Sequence, residues 1–176
     1  MSDNSLYVLQ VRTNREDKFI KTFNKHLEPL DIKLYFPRRI IEIKKNGKIR
    51  KTKPALFPGY VILESPCDTP VYQCLHTFKS SKNFVKFLGS NTNIIQVKYN
   101  DLVFLRKLLN LGPVIGKSDV TFDENSRIVV LEGPLKDFQG TIVKVDRRKK
   151  RAKIKLDIND NVFLIDLAYN VIERTA

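Results

Sequence analysis

From Arg127 onward the chain consists of short β-type runs, RIVVLE, TIVKVD, AKIKLD and NVFLIDL, separated by turns that contain Gly or Asn/Asp or, between TIVKVD and AKIKLD, by RRKKR following Asp146. Apolar residues at period two fit a pleated surface, and the separators are turn formers. Four or five short strands within about 50 residues would leave exposed edges in an open sheet. A small barrel, which removes those edges, is the expected architecture for this part.

The preceding residues follow a different rhythm. LYVLQV (6–11) reads as a strand buried between layers, with Leu6, Val8 and Gln10 on one face and Tyr7, Leu9 and Val11 on the other. A helix is predicted next, capped by Thr13 or Asn14, acidic at Glu16 and Asp17, with Phe19, Ile20, Phe23 and Leu27 at helical spacing and an end near Pro29. Residues 34–44 read as extended, NGK (46–48) as a hairpin turn, and ALFPGYVILE as a Pro-Gly turn leading into a strand. A second helix is placed from Thr69–Pro70, a strand in NFVKFLGSN, and a third helix over 100–110. That helix has Asn100 as cap and Leu102, Leu105 and Leu109 as its stripe, and Gly112-Pro113 stops it. Residues 113–123 lack a period and read as a linker. The domain reading is therefore 1–112, a linker at 113–123, and 124–176, an α+β chain overall.

Thirty-two Lys/Arg against nineteen Asp/Glu give a net charge of +13, which favours polyanionic partners and steep salt dependence. The longest apolar runs, VIL (61–63) and VFLI (162–165), fall far short of the ~20 residues that span a bilayer. The start, MSDNSLYVLQ, lacks the layout of a signal peptide, so a cytoplasmic, membrane-free protein is expected. Cys67 and Cys74 have no recognisable ligand spacing and read as reduced thiols, and no metal or cofactor is expected. His26 and His76 read as surface groups. No Ser/His/Asp, Cys/His, paired-carboxylate or phosphate-cradling glycine pattern is evident, so the chain reads as a non-enzyme.

In EGPLKDFQGTIVKVD (132–146), Gly133 and Gly140 are read as flanking a sharp loop, with Asp137 bonding inside it and Phe138 plugging the barrel mouth. In FPGY (57–60), Pro58-Gly59 fixes a turn from which Phe57 and Tyr60 project aromatic surface, plain core packing being the competing reading. These two motifs, with LYVLQV and FVKFLG in the same order, resemble the NusG family of transcription elongation factors over nearly the whole chain, from Leu6 to Arg174. The resemblance implies a NusG N-terminal-type α/β sandwich followed by a KOW-type (SH3-like) β-barrel. It also implies docking of the first domain on the clamp helices of RNA polymerase's largest subunit, which suppresses pausing. The positions matching that patch are Tyr7, Val8, Phe57, Pro58, Tyr60 and Ile62.

Asn159 and Asn161 occupy the barrel-tip positions where housekeeping members carry an aromatic and a basic residue for Rho or ribosome contacts. The run RRKKRAKIK (147–155) adds seven cations: Arg147, Arg148, Lys149, Lys150, Arg151, Lys153 and Lys155. By itself the run is read either as a solvated turn or as a binding edge. In a module beside emerging transcript the binding reading is favoured, and a specialised LoaP/RfaH-type paralogue that binds an RNA hairpin fits best. Lys79 and Lys82 are the expected partners of the non-template DNA strand, by resemblance to RfaH-like members. The alternatives are a general NusG coupling polymerase to Rho or the ribosome, and a ribosome-associated RNA-binding protein. A monomer with a permanently β second domain is expected.

Overall fold

The computed structural model describes residues 4–66 and 71–173. Cys67, the Thr69–Pro70 helix start and Arg174 lie outside the described residues. In chain order the strands are β1 (Ser5–Val11), β2 (Lys33–Tyr35), β3 (Arg38–Arg39), β4 (Ile41–Lys45), β5 (Lys48–Thr52), β6 (Tyr60–Ser65) and β7 (Phe84–Phe87). They continue with β8 (Val114–Ile115), β9 (Ser118–Phe122), β10 (Ile128–Glu132), β11 (Ile142–Asp146), β12 (Arg151–Ile158) and β13 (Asn161–Val171). The helices are α1 (Glu16–Leu27), α2 (Val71–Lys79) and α3 (Tyr99–Asn110). Two compact units result, one of Met1–Phe36 and Phe57–Val103, the other of Pro37–Leu56 and Phe104–Ala176, so the division falls within α3.

The first unit is an α/β sandwich. Its antiparallel sheet runs β2-β6-β1-β7. Leu9 and Val11 of β1, Val61 and Leu63 of β6, and Phe87 of β7 share a core with Phe19, Phe23 and Leu27 of α1 and Cys74, Leu75 and Phe78 of α2. Five phenylalanines stack through this layer, with Phe19–Phe23 centroids 4.8 Å apart and Phe23–Phe78 5.1 Å apart in an edge-to-face pair. Each of the four buried rings, Phe19, Phe23, Phe78 and Phe87, stabilises the unit by about 1.5–3 kcal/mol through removal from water, Phe84 being partly buried. The cap of α1 differs from expectation. Arg15 is the N-cap and makes no side-chain capping bond, while Asn14 sits at φ 64°, outside the extended region an N-cap occupies. In α3 the helix begins at Tyr99, which puts Asn100 inside it, and the buried pair is Leu105 and Leu108 rather than the expected stripe.

The second unit holds a five-stranded, barrel-like sheet in the order β10-β9-β13-β12-β11. The long β13 pairs antiparallel with β12 through Ala168, then parallel with β9 at Tyr169–Val171, so one strand serves two edges of the curl. Ala152, Ile154, Leu156 and Ile158 of β12 are buried in strict alternation, as the sequence pattern predicts. The segment read as a linker is corrected here. Ser118–Phe122 is a barrel strand, and Val120 is fully buried with Thr121 nearly so. Partnering by β10 and β13 supplies order that the short, aperiodic sequence does not announce. The 37–56 segment, read as part of the first domain, groups with the barrel, and its β4–β5 hairpin turns at Asn46-Gly47 with both residues at positive φ, as NGK predicts.

Candidate functional site

In the first unit, FPGY forms the expected turn. The Tyr60 N–H donates to the Phe57 carbonyl (3.1 Å), and Gly59 has φ 82° with Pro58 before it, a type II pattern. Glu16 holds this turn from below. It is 3% exposed, and its Oε1 accepts the Gly59 N–H at 2.7 Å. Sequence reasoning gave Glu16 only a helix-dipole role, because a bond to a residue 43 positions away leaves no local signal.

The expected docking residues separate in burial. Pro58 is exposed, and Tyr7 and Tyr60 are half-buried. Val8, Phe57 and Ile62 are buried, at 4%, 4% and 2% exposure. The reading that Phe57 projects aromatic surface is thus corrected, its ring being the inward end of the turn. Val8 and Ile62 are directly opposed across β1 and β6, and Tyr60 opposes Gln10 on the same face. Tyr7 points to the other face, against the helical core, with its ring edge-on to Phe87 at 6.5 Å. Lys79 ends α2 and Lys82 follows it, both exposed.

In the second unit, the β11–β12 turn carries the basic run and is hydrogen-bonded both within itself and to β13. Asp146 Oδ1 accepts the Lys149 N–H at 2.9 Å, the Lys150 N–H reaches the Arg147 carbonyl at 3.3 Å, and Lys150 lies at φ 50°. The bond from the Lys149 amide, aided by neighbouring cations, holds the Asp146 carboxyl below its ordinary range. From β13, the Tyr169 N–H donates to the Lys150 carbonyl at 3.0 Å and its hydroxyl to the Asp146 carbonyl at 3.3 Å.

The seven cations do not share one environment. Arg147 lies 4.0 Å over the Phe122 ring and donates to the Ser126 carbonyl at 2.7 Å. Arg151 is partly buried and donates through Nη2 to the Glu42 carbonyl at 3.3 Å. Lys153 is 3.1 Å from Asp166, and Lys155 is 3.7 Å from Asp157. Arg148, Lys149 and Lys150 are exposed at the tip. A run that looks uniform in sequence is therefore three outward cations framed by four with intramolecular partners.

Gly133 and Gly140, treated alike by sequence, also separate. Gly133 has φ 96°, and a Cβ there would lie 2.7 Å from the Ser118 Cα, whereas Gly140 has an ordinary φ and open space. Phe138 is buried at 1%, in accord with the plug reading, while Asp137 forms an exposed ion pair with Lys107 at 3.8 Å. Ser118 was missed, yet its buried Oγ accepts the Leu135 N–H at 2.8 Å and ties the 134–141 segment to β9.

The family description "transcription termination factor NusG" matches residues 4–105, and the KOW motif matches 124–155. The chain belongs to the NusG family. Proteins named transcription termination/antitermination protein NusG resemble it at low identity. That of Pasteurella multocida is 24% identical over 174 residues, covering 96% of this chain and 94% of that protein. That of Bacillus subtilis is 21% identical over 173 residues, covering 96% and 97%. The solved structure of Thermotoga maritima NusG shares the fold, with a TM-score of 0.54 at 23% identity and 94% of each chain covered. Among the described residues no helix is long and apolar enough to cross a membrane.

Proposed function

We propose that the chain is a specialised transcription elongation and antitermination factor of the LoaP/RfaH type. In this reading it docks on the RNA polymerase clamp helices through its first unit and grips transcript RNA, a folded hairpin, through the β11–β12 turn. The observation that carries the RNA half is the outward presentation of Arg148, Lys149 and Lys150 from a turn hydrogen-bonded on both sides. A preorganised basic turn loses little entropy on meeting phosphates, and A-form RNA offers phosphates and shape rather than an accessible major groove. For polymerase docking, Pro58 and Tyr60 supply accessible surface, while Val8, Phe57 and Ile62 set its shape from beneath and Tyr7, on the opposite face, stands outside it. Lys79 and Lys82 are placed by the same reading near the non-template strand. The plain tip at Asn159-Asp160, both at positive φ in a two-residue hairpin turn, favours a specialised member over one that couples to Rho or the ribosome.

The test is binding of the intact protein to transcript-leader hairpins and unstructured RNAs at low and physiological salt. Hairpin-selective binding, lost on combining Arg148→Gln, Lys149→Gln and Lys150→Gln, is expected. Weak binding, equal for every RNA and abolished by salt, would return the run to a solvated turn. The docking half predicts co-purification with RNA polymerase that Tyr60→Asp weakens. Co-purification with ribosomes in place of polymerase would overturn it.

A further inference from the structure

A second basic element belongs to the same unit as the β11–β12 turn. The β4–β5 hairpin carries Lys44, Lys45, Lys48, Arg50 and Lys51, all exposed. Its base is held to the barrel by Glu42. The Glu42 Oε1 accepts from Lys117 Nζ at 2.6 Å, its carbonyl accepts from Arg151 Nη2 at 3.3 Å, and neighbouring Ile41 is buried. Between hairpin and turn lies a groove of about 590 Å³, lined by Glu42, Ile43, Lys44 and Ile49 on one side and residues 148–151 on the other. The lining includes five cations and one carboxylate, and that carboxylate is committed to Lys117. Ile43 and Ile49 are 46% and 66% exposed, so the hairpin side also offers apolar surface.

We propose that the β4–β5 hairpin is the second wall of the RNA site, so that one phosphodiester strand of a folded RNA stem lies in the groove between hairpin and turn. The inference rests on the RNA reading of the 148–150 tip and extends it to a segment that sequence assigns to the other domain. Lys44 on one wall and Lys149 and Lys150 on the other meet phosphates as point charges, and Ile49, on the same hairpin face as Lys44, packs against a ribose face. Glu42 then acts as a positioning residue that holds the hairpin at groove distance and touches no ligand.

The experiment uses the full-length protein, a stem-loop RNA, a DNA stem-loop of the same sequence, and poly-glutamate. One variant combines Lys44→Gln and Lys51→Gln, which the register places on the hairpin face shared with Ile49, and the other combines Arg148→Gln, Lys149→Gln and Lys150→Gln. With each neutralised phosphate contributing about 0.7–0.9 to the slope of log K against log salt, losing two contacts lowers that slope by about 1.5 and losing three by about 2. The expected result is that each variant binds stem-loop RNA at least about tenfold more weakly at physiological salt, with that change of slope and an unchanged far-UV circular dichroism spectrum. Where a combined variant alters the spectrum, Lys44→Gln and Lys149→Gln taken singly must each show a smaller loss of the same kind. A hairpin variant with wild-type affinity, beside a weakened turn variant, overturns the two-walled groove and leaves the RNA reading standing. Wild-type affinity in both overturns the groove and the RNA reading together. Equal binding of the DNA stem-loop or of poly-glutamate overturns the assignment to RNA.

Discussion

Replacing Gly133 by alanine is expected to unfold the barrel far more readily than the same change at Gly140. Gly133 has φ 96° and ψ −172°, a conformation that is essentially confined to glycine. Holding alanine there costs about 1–3 kcal/mol in backbone strain alone. A Cβ would also sit 2.7 Å from the Ser118 Cα and 3.0 Å from the Lys117 carbonyl oxygen. Those are backbone atoms at the start of β9, so relief requires moving the strand rather than rotating a side chain. The movement would stretch the 2.8 Å bond from the Leu135 N–H to Ser118 Oγ, whose loss at a buried site costs about another 1–3 kcal/mol. The sum is about 2–6 kcal/mol, a large part of the stability of a small domain. At Gly140, with no atom within 4 Å and no positive φ, alanine changes stability by less than about 1 kcal/mol and in the stabilising direction. The assay is a urea titration of the full chain followed through NMR amide signals of β9 and β12, which reads the barrel by itself. Equal midpoints for the two variants would refute the reasoning, because the sequence motif alone makes the two glycines equivalent.

Glu16→Ala should lower first-unit stability by about 1.5–3 kcal/mol, since the buried Gly59 N–H loses a charged acceptor at 2.7 Å; a urea midpoint within error of wild type would remove the turn-holding role. Glu42 should govern hairpin placement in acid. The hydrogen bond from Lys117 holds its carboxyl below the ordinary glutamate range, so its contribution is fully present above that range and is lost as pH falls through the lowered value. Amide shifts of Lys44 and Ile49 recorded from pH 6 downward should move with a midpoint under the normal glutamate value, and Lys117→Met should raise that midpoint.

Much of the architecture was legible in the sequence because it is written in local periods. The alternation in AKIKLD, the Asn46-Gly47 turn and the helical spacing of Phe19, Phe23 and Leu27 each report their own structure. The misses share a cause. Residues 118–122 form a strand only because β10 and β13 lie on either side, and Asn14 fails as a cap because the chain places it at φ 64°. The candidate sites were legible in residue type but not in arrangement. The chemistry of 147–155 was visible as charge, whereas its division into partnered and outward cations depends on Phe122, Ser126, Glu42, Asp157 and Asp166. Apart from Asp157, these residues lie well away from the run in sequence, and no spacing within it encodes them.

That division bears on how the site must be probed. Arg147 and Arg151 present planar guanidiniums, and each donates one Nη2 bond to a backbone carbonyl, Arg147 also lying over an aromatic ring. Lys149 and Lys150, compact charges on flexible stems, stand at the tip, where a phosphate partner is not fixed in advance. Neutralising all five cations of 147–151 would therefore remove a cation–π contact and two side-chain bonds to backbone along with any ligand contacts. A loss of RNA binding in that variant would not distinguish a damaged turn from a missing charge. Confining substitution to 148–150 separates the two, since those residues close the turn through the backbone atoms of Lys149 and Lys150 rather than through their side chains. Arg147→Lys supplies the converse control: it keeps the charge while weakening the Phe122 stacking, so it should lower barrel stability with little change in RNA affinity.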